Sequence, residues 1–290
     1  MYTSIVVTYY PDQDHLRQIV NELLASGLIV VIYDNTPASE KLSQSFYVDS
    51  RVHILSNGDN QGLGTAFNES LAFLQGKLPL IQACLFFDQD SFVKQAGVKS
   101  LIKELEYLQS KGLPVGVLGA CPVDQRGIEY SFRKVRNISP DQLLDRFSSV
   151  SFVITSFSIV PFDVFQKVGL FDENLFIDLV DSEFSYRCRV HGLLNLISKK
   201  TVFTHVIGES RKTIFGRTFS ISSPMRNYYQ ARNLIIVGRD YGWYWYAFST
   251  VCRRFVQVVL SGFYENDLRI RLRYFFKGIY HGLMYRTGRL

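Results

Sequence analysis

Short apolar runs alternate with stretches whose apolar residues recur every three or four positions. Ser4–Thr8 (SIVVT), Leu28–Tyr33 (LIVVIY), Val52–Leu55 and Leu80–Phe87 read as strands. His15–Ala25 carries Leu16, Ile19, Val20, Leu23 and Leu24 at a helical period, and Thr65–Leu74 and Val98–Gln109 are read as helices too. This alternation predicts an α/β domain with a Rossmann-like, mostly parallel mixed sheet flanked by helices. Ligands of such sheets lie beyond the carboxyl ends of the strands, here Thr8–Pro11, Asp34–Asn35 and Asp88–Asp90.

From about Val115 to Gly208 the pattern continues with expected strands at Val115–Ala120, Ser151–Val160 and Thr201–His205, around the segment GLFDENLFIDLVDSEFSYR. A domain of residues 1–210, with halves at 1–110 and 111–210, is therefore expected to precede a helical region at 211–290. In Leu268–Tyr285 the residues Leu268, Leu272, Phe275, Ile279 and Leu283 are expected on one face, with Arg269, Arg273, Lys277 and His281 on the other.

Charge sharpens this division. Residues 211–290 hold 14 Lys and Arg against Asp240, Glu265 and Asp267, a balance of +11, and 18 of the 42 aromatic residues. The first 210 residues balance to −5. A basic, aromatic tail on an acidic-leaning body suits an anionic surface. The apolar runs Tyr241–Cys252 and Phe255–Tyr264, split by Arg253 and Arg254, are each about half of the ~20 residues a spanning helix needs. The opening residues have no basic n-region or cleavage site and read as a first strand. Cys84, Cys121, Cys188 and Cys252 show no metal-knuckle or dithiol spacing and are expected to be small core residues in a reducing compartment.

Five constellations could carry chemistry. Asp88-Gln89-Asp90 brings two carboxylates to the end of a buried strand, where hard oxygen ligands suit Mg²⁺ or Mn²⁺ shared with a phosphate; a solvated turn is the plain alternative. Thr8-Tyr9 and Asp34-Asn35 could hold a nucleobase, or form an Asx turn beside a core-edge ring. Gly62 and Gly64, in NQGLGTAFN, could turn N–H groups toward a phosphate or simply join strand to helix. Asp178, Asp181 and Glu183 could supply a general base, or form an acidic helix start with a Glu183–Arg187 pair. His205 ends a strand, where it could join the Asp88/Asp90 site or be structural. P-loop and serine-hydrolase signatures are absent.

The ordered motifs VVTYYP, IYDN, DNQGLGTAFN, FFDQDS, GLFDENLFIDLVDSEFSYR and THVIGES resemble glycosyltransferase family 2 over residues 4–240, and IDLVDSEF with RNYYQARN looks most like its rhamnosyltransferase branch. The resemblance implies a GT-A fold, with nucleotide-sugar and acceptor halves on one continuous sheet. It implies that Thr8, Tyr9, Asp34, Asn35 and Gly62 bind the donor and that Asp88 contacts ribose or metal. Asp90 would be the main protein ligand of Mg²⁺ or Mn²⁺, and His205 would approach the metal or the diphosphate. Asp181 would be the general base, Glu183 would orient base or acceptor, and Arg226 and Arg232 would contact the diphosphate. Two departures stand out: Phe157 occupies a position that is often glycine in this branch, and Val180 replaces a usual glutamate.

The implied activity is inverting, metal-dependent sugar transfer, with L-rhamnose from dTDP-β-L-rhamnose moving to a saccharide or isoprenoid-diphosphate-linked acceptor in surface polysaccharide synthesis, such as O-antigen. A UDP-hexose or UDP-galactofuranose donor, or a non-catalytic sugar-nucleotide or polysaccharide binder, are the competing readings. The expected setting is cytoplasmic, peripheral on the plasma membrane through residues 241–290, with a homo-oligomer among the arrangements open. Because the positive charge is confined to the tail, nucleic acid is not an expected partner.

Overall fold

The computed structural model describes residues 1–290 except 124–128, 131, 133–144, 205–209 and 215–216, and describes only the backbone at 210–214 and 217–220. Two units result: residues 1–171 with 181–205, and residues 172–180 with 206–290. The division expected near residue 210 falls at 205/206, and the 172–180 loop groups with the C-terminal unit.

The first unit is built on an eight-stranded sheet, numbered along the chain as β1 (Tyr2–Thr8), β2 (Ile29–Asp34), β3 (Val52–Leu55), β4 (Ala83–Asp88), β5 (Val115–Val123), β6 (Phe147–Ser149), β7 (Ser158–Pro161) and β8 (Leu194–Thr204). Their spatial order is β3-β2-β1-β4-β7-β5-β8-β6. The strands β3, β2, β1 and β4 are parallel, as are β5 and β8, while β7 and β6 run against their neighbours. Chain order reverses beside β1, with β2 on one side and β4 on the other. A crevice opens at such a switch point.

Helices cover both faces. On one, α1 (Gln13–Ala25) and α3 (Gln95–Ser110) bury Leu16, Val20, Leu101 and Leu105 in a single apolar cluster with Val6, Val30, Ile32 and Phe87. Asp12 caps α1, accepting from the Asp14 and His15 N–H groups at 3.0 Å. The other face holds α2 (Gly62–Lys77), α4 (Phe162–Val168) and α5 (Val180–Val190). Its core is aromatic, with Phe67 and Phe171 against Phe86 and Phe171 stacked on Phe184 at 4.4 Å.

The expected strand at Ser151–Val160 is confined to β7. Phe157 takes φ 53°, and Ser158 N–H turns back to Thr155 O, so the chain bends into β7 at this residue, whose carbonyl still accepts from Ala120 N–H at 3.0 Å. This conformation costs a non-glycine residue roughly 1–2 kcal/mol. Burial of the ring between Phe87 and Phe203 offsets it, at centroid distances of 5.1 and 5.4 Å. The side chain where glycine was expected is thus a core residue. Strand β8 begins seven residues before the expected Thr201, because Leu194–Ile197 pair with β5 ahead of a register shift. Cys84, Cys121 and Cys188 are buried as expected, with burial pushing the thiols of Cys84 and Cys188 up to about 12, whereas Cys252 is exposed.

The C-terminal unit starts with a correction. The region expected to be helical begins with an antiparallel pair, β9 (Ser210–Ile214) and β10 (Arg217–Ile221). Three helices follow: α6 (Pro224–Asp240), α7 (Tyr244–Glu265) and α8 (Leu268–Leu283). Phe275 is buried on α8 as expected, but Leu283 is exposed. His281 is not a solvated polar-face residue; its Nδ1 meets the Tyr228 hydroxyl at 2.8 Å. Arg271 is buried, donating to Asp267 Oδ1 at 2.5 Å and to Ser222 O.

A Gly278-Ile-Tyr-His-Gly282 pattern lets α8 approach α6 closely. A β-carbon on Gly278 would lie 2.4 Å from Tyr228 O, and one on Gly282 would lie 2.9 Å from Arg232 O. Gly278→Ala is expected to destabilise the protein by about 1–3 kcal/mol, since backbone must move to admit the methyl. Gly76→Ala meets nothing within 4 Å on α2 and is expected to be neutral or slightly stabilising. Thermal unfolding of both variants checks the contrast, and equal melting temperatures would refute the close approach.

Candidate active site

Three parallel strands deliver their last residues to the crevice. Thr8 lies opposite Asp34 in the β1–β2 register, and Val7 lies opposite Asp88 in β1–β4. Asp34 is fully buried and accepts from Thr8 Oγ1 at 3.0 Å, Thr36 N–H at 3.1 Å and Leu42 N–H at 2.6 Å. A buried carboxylate needs such donors. It shapes the loop after β2 from within. Asn35 is likewise buried and joins that loop to the start of α2, donating to Gly62 O and accepting from Gln61 N–H. Gly62 takes φ 84° between β3 and α2, a left-handed turn that glycine makes without strain.

Tyr9 and Tyr10 follow Thr8 with exposed rings in edge contact at 4.7 Å. Tyr10 is itself left-handed, and its N–H donates to Thr36 Oγ1. Gln89, the residue between the two acids, bonds the Tyr9 backbone twice: Tyr9 N–H donates to its Oε1 at 2.6 Å, and its Nε2 donates to Tyr9 O at 3.1 Å. Sequence reasoning passed over Gln89, although its place between two candidate ligands was the available signal.

Asp88 ends β4 half-buried and Asp90 is exposed in the next turn, which closes through Ser91 N–H to Asp88 O at 3.1 Å. Two hard carboxylates, two residues apart, with Asp90 open to solvent, fit a divalent cation whose remaining positions go to water and phosphate oxygens. His205 lies outside the described residues. Among the described residues, no three His, Cys, Asp or Glu side chains cluster for a metal.

Asp181 stands half-buried in the first turn of α5, its Oδ1 accepting from Ser182 N–H at 2.7 Å. Glu183 is buried and holds Arg187 through two bonds, at 2.6 and 2.9 Å. Arg187 in turn donates to Val168 O and Leu170 O, so this pair fastens α5 to the chain leaving α4. The i,i+4 pair expected from sequence is present, in a buried position.

Within the C-terminal unit, the loop before α5 carries three left-handed non-glycine residues, Phe176, Asp178 and Leu179. Such backbone costs of order 1–3 kcal/mol per residue and persists only where its surroundings enforce it. Here Arg232 donates to Asn174 O and Leu175 O, and the neighbouring amide of Asn233 donates to Leu175 O, Ile177 O and Asp178 O. Arg232 was expected at the diphosphate. It is instead fully buried among backbone carbonyls and the Tyr228 and Tyr229 rings, holding the loop. Arg226 pairs with Asp178 through Nε at 3.3 Å and Nη2 at 2.7 Å and keeps partial exposure. Arg254, read from sequence only as part of the break between two apolar runs, is close enough to feel both groups; burial lowers its pKa, with Asp178 opposing and Arg226 adding. Nothing local in the sequence announced Asn233 or Arg254.

The family model for glycosyl transferase family 2 matches residues 4–169. The chain belongs to glycosyltransferase family 2. A dTDP-rhamnosyl transferase of Shigella flexneri, RfbF, is 30% identical over 244 residues, covering 81% of this chain and 79% of that protein. Among solved structures, GalNAc-T7 with UDP, GalNAc and Mn²⁺ shares the fold at a TM-score of 0.53 and 14% identity, over 80% of this chain. This chain spans 50% of the GalNAc-T7 chain's length. The mixed sheet with helices on both faces is accordingly a GT-A fold, and the protein is a glycosyltransferase with a rhamnosyltransferase relative.

Proposed function

We propose that this family 2 enzyme transfers L-rhamnose from dTDP-β-L-rhamnose, with inversion, to a hydroxyl of a saccharide or isoprenoid-diphosphate-linked acceptor in cell-surface polysaccharide synthesis. The observation that carries the mechanism is the pair Asp88 and Asp90 at the carboxyl end of β4, beside Thr8 and Tyr9 at the end of β1. The RfbF relative supports the choice of rhamnose.

In this reading Tyr9 offers an exposed ring to the base, while Asp34 and Asn35 hold the shape of its pocket. Asp88 and Asp90 would hold Mg²⁺ or Mn²⁺, with His205 the candidate third ligand. The cation supplies Lewis-acid stabilisation of charge on the leaving diphosphate. Asp181 accepts the acceptor hydroxyl's proton as its oxygen bonds to the anomeric carbon from the face opposite the breaking C–O bond. One displacement inverts the centre, so a β-linked donor yields an α-rhamnoside. Arg226 remains a candidate diphosphate contact if it exchanges Asp178 for the ligand.

Calorimetry with dTDP-rhamnose, UDP-glucose, UDP-GlcNAc and UDP-galactofuranose, in Mn²⁺ and in EDTA, tests the donor. Binding of dTDP-rhamnose alone, lost in EDTA, is expected. Preference for a UDP-sugar would overturn the rhamnosyl reading and keep the fold; binding insensitive to EDTA would overturn the metal.

A further inference from the structure

The helices α7 and α8 leave an apolar and cationic face uncovered. Along α7, Trp245, Phe248, Cys252, Val256, Val259 and Phe263 follow at steps of three or four residues and therefore share one stripe. Trp245, Phe263 and Phe248 are 78%, 69% and 60% exposed. Along α8, Ile270, Phe276, Tyr280 and Leu283 are all more than half exposed, interleaved with exposed Arg273 and Lys277. The two surfaces join where Phe255 of α7 meets Phe276 of α8 at a centroid distance of 5.9 Å. Residues on the inner sides, including Ala247, Val258 and Phe275, are buried. An apolar patch of this extent marks an interaction site, since isolated exposed hydrophobics do not line up along two adjoining helices.

We infer that this joined face of α7 and α8 docks on an anionic lipid bilayer. Indole and phenol rings suit the boundary between headgroups and acyl chains. Exposed Arg253, Arg269, Arg273 and Lys277 lie on the same two helices, where Glu265 is the one exposed acid and Asp267 is engaged by Arg271. This charge complements an anionic surface and opposes a second copy, which would set like charges face to face. No helix among the described residues is long and apolar enough to cross a membrane, so contact through these helices is contact along a surface. The inference deepens the proposed function by placing the enzyme where a lipid-linked acceptor is found, and rests on that reading only for its purpose.

The full chain is sedimented with vesicles of phosphatidylcholine and with vesicles that also contain phosphatidylglycerol. Binding to the anionic vesicles, weakened by salt, is expected. In a Trp243→Phe background, which leaves Trp245 as the reporter indole, emission should shift to the blue on binding. Phe248→Glu with Phe263→Glu should reduce binding at least about tenfold. Arg273→Gln and Lys277→Gln should each weaken it about fivefold at low salt. Donor calorimetry should be unchanged in all of these variants, so failure here and failure of the donor reading are distinguishable. Absence of binding to anionic vesicles, or wild-type binding by the double variant, would overturn the inference. A concentration-dependent dimer that the double variant dissolves, without vesicle binding, would assign the face to a second copy.

Discussion

Asp181→Asn is expected to lower kcat by about 10²–10⁴-fold while leaving donor affinity near its wild-type value, the range ascribed to a positioned general base. An acceptor hydroxyl is a poor nucleophile until its proton is taken, and an amide cannot take it. The substitution is close to isosteric, and an amide oxygen can still accept the Ser182 N–H bond that orients the side chain. The start of α5 should therefore keep its conformation, making the loss chemical rather than structural. Steady-state rates across pH, alongside donor calorimetry, provide the check. The limb of the profile in which activity rises with deprotonation of the base should disappear. Wild-type turnover by Asp181→Asn would move the base elsewhere.

Asp90→Ala is expected to lower transfer by about three orders of magnitude, the equivalent of several kcal/mol of lost charge stabilisation. It should also abolish the difference in donor affinity between Mn²⁺ and EDTA. Asp90 is exposed in its turn, so its loss should leave the melting temperature unchanged. Asp34 makes an instructive contrast. It is fully buried under three donors, and its replacement would disturb the loop after β2 along with any contact to the base. Near-normal, EDTA-insensitive transfer by Asp90→Ala would remove the metal assignment.

The candidate site was legible in the sequence where one strand and its following turn suffice to place a residue. An apolar run such as LIQACLFF has few ways to end, so Asp88 and Asp90 could be placed at a strand's carboxyl end before any pairing was known. The side chains that hold loops within each unit were less legible because their partners are distant in sequence. Gln89 bonds a backbone 80 positions away, and Asn233 bonds carbonyls 55 to 58 positions away. Arg232 illustrates this: the family resemblance implies a diphosphate contact, but three-dimensional packing commits its guanidinium to backbone carbonyls of the 172–180 segment.

By itself the sequence determined the alternation of strands and helices, the acidic pair after a buried strand, and the segregation of positive charge and aromatic rings into the last 80 residues. These properties are local, set by periodicity and composition over short windows. Only the tertiary structure decided which apolar faces are covered. Phe275 and Phe276 are neighbours on α8, yet one is buried and the other exposed, and Gly278 matters because the Tyr228 carbonyl lies against it. Periodicity shows that a face is apolar; contacts between distant segments determine whether it becomes core or remains open to a partner.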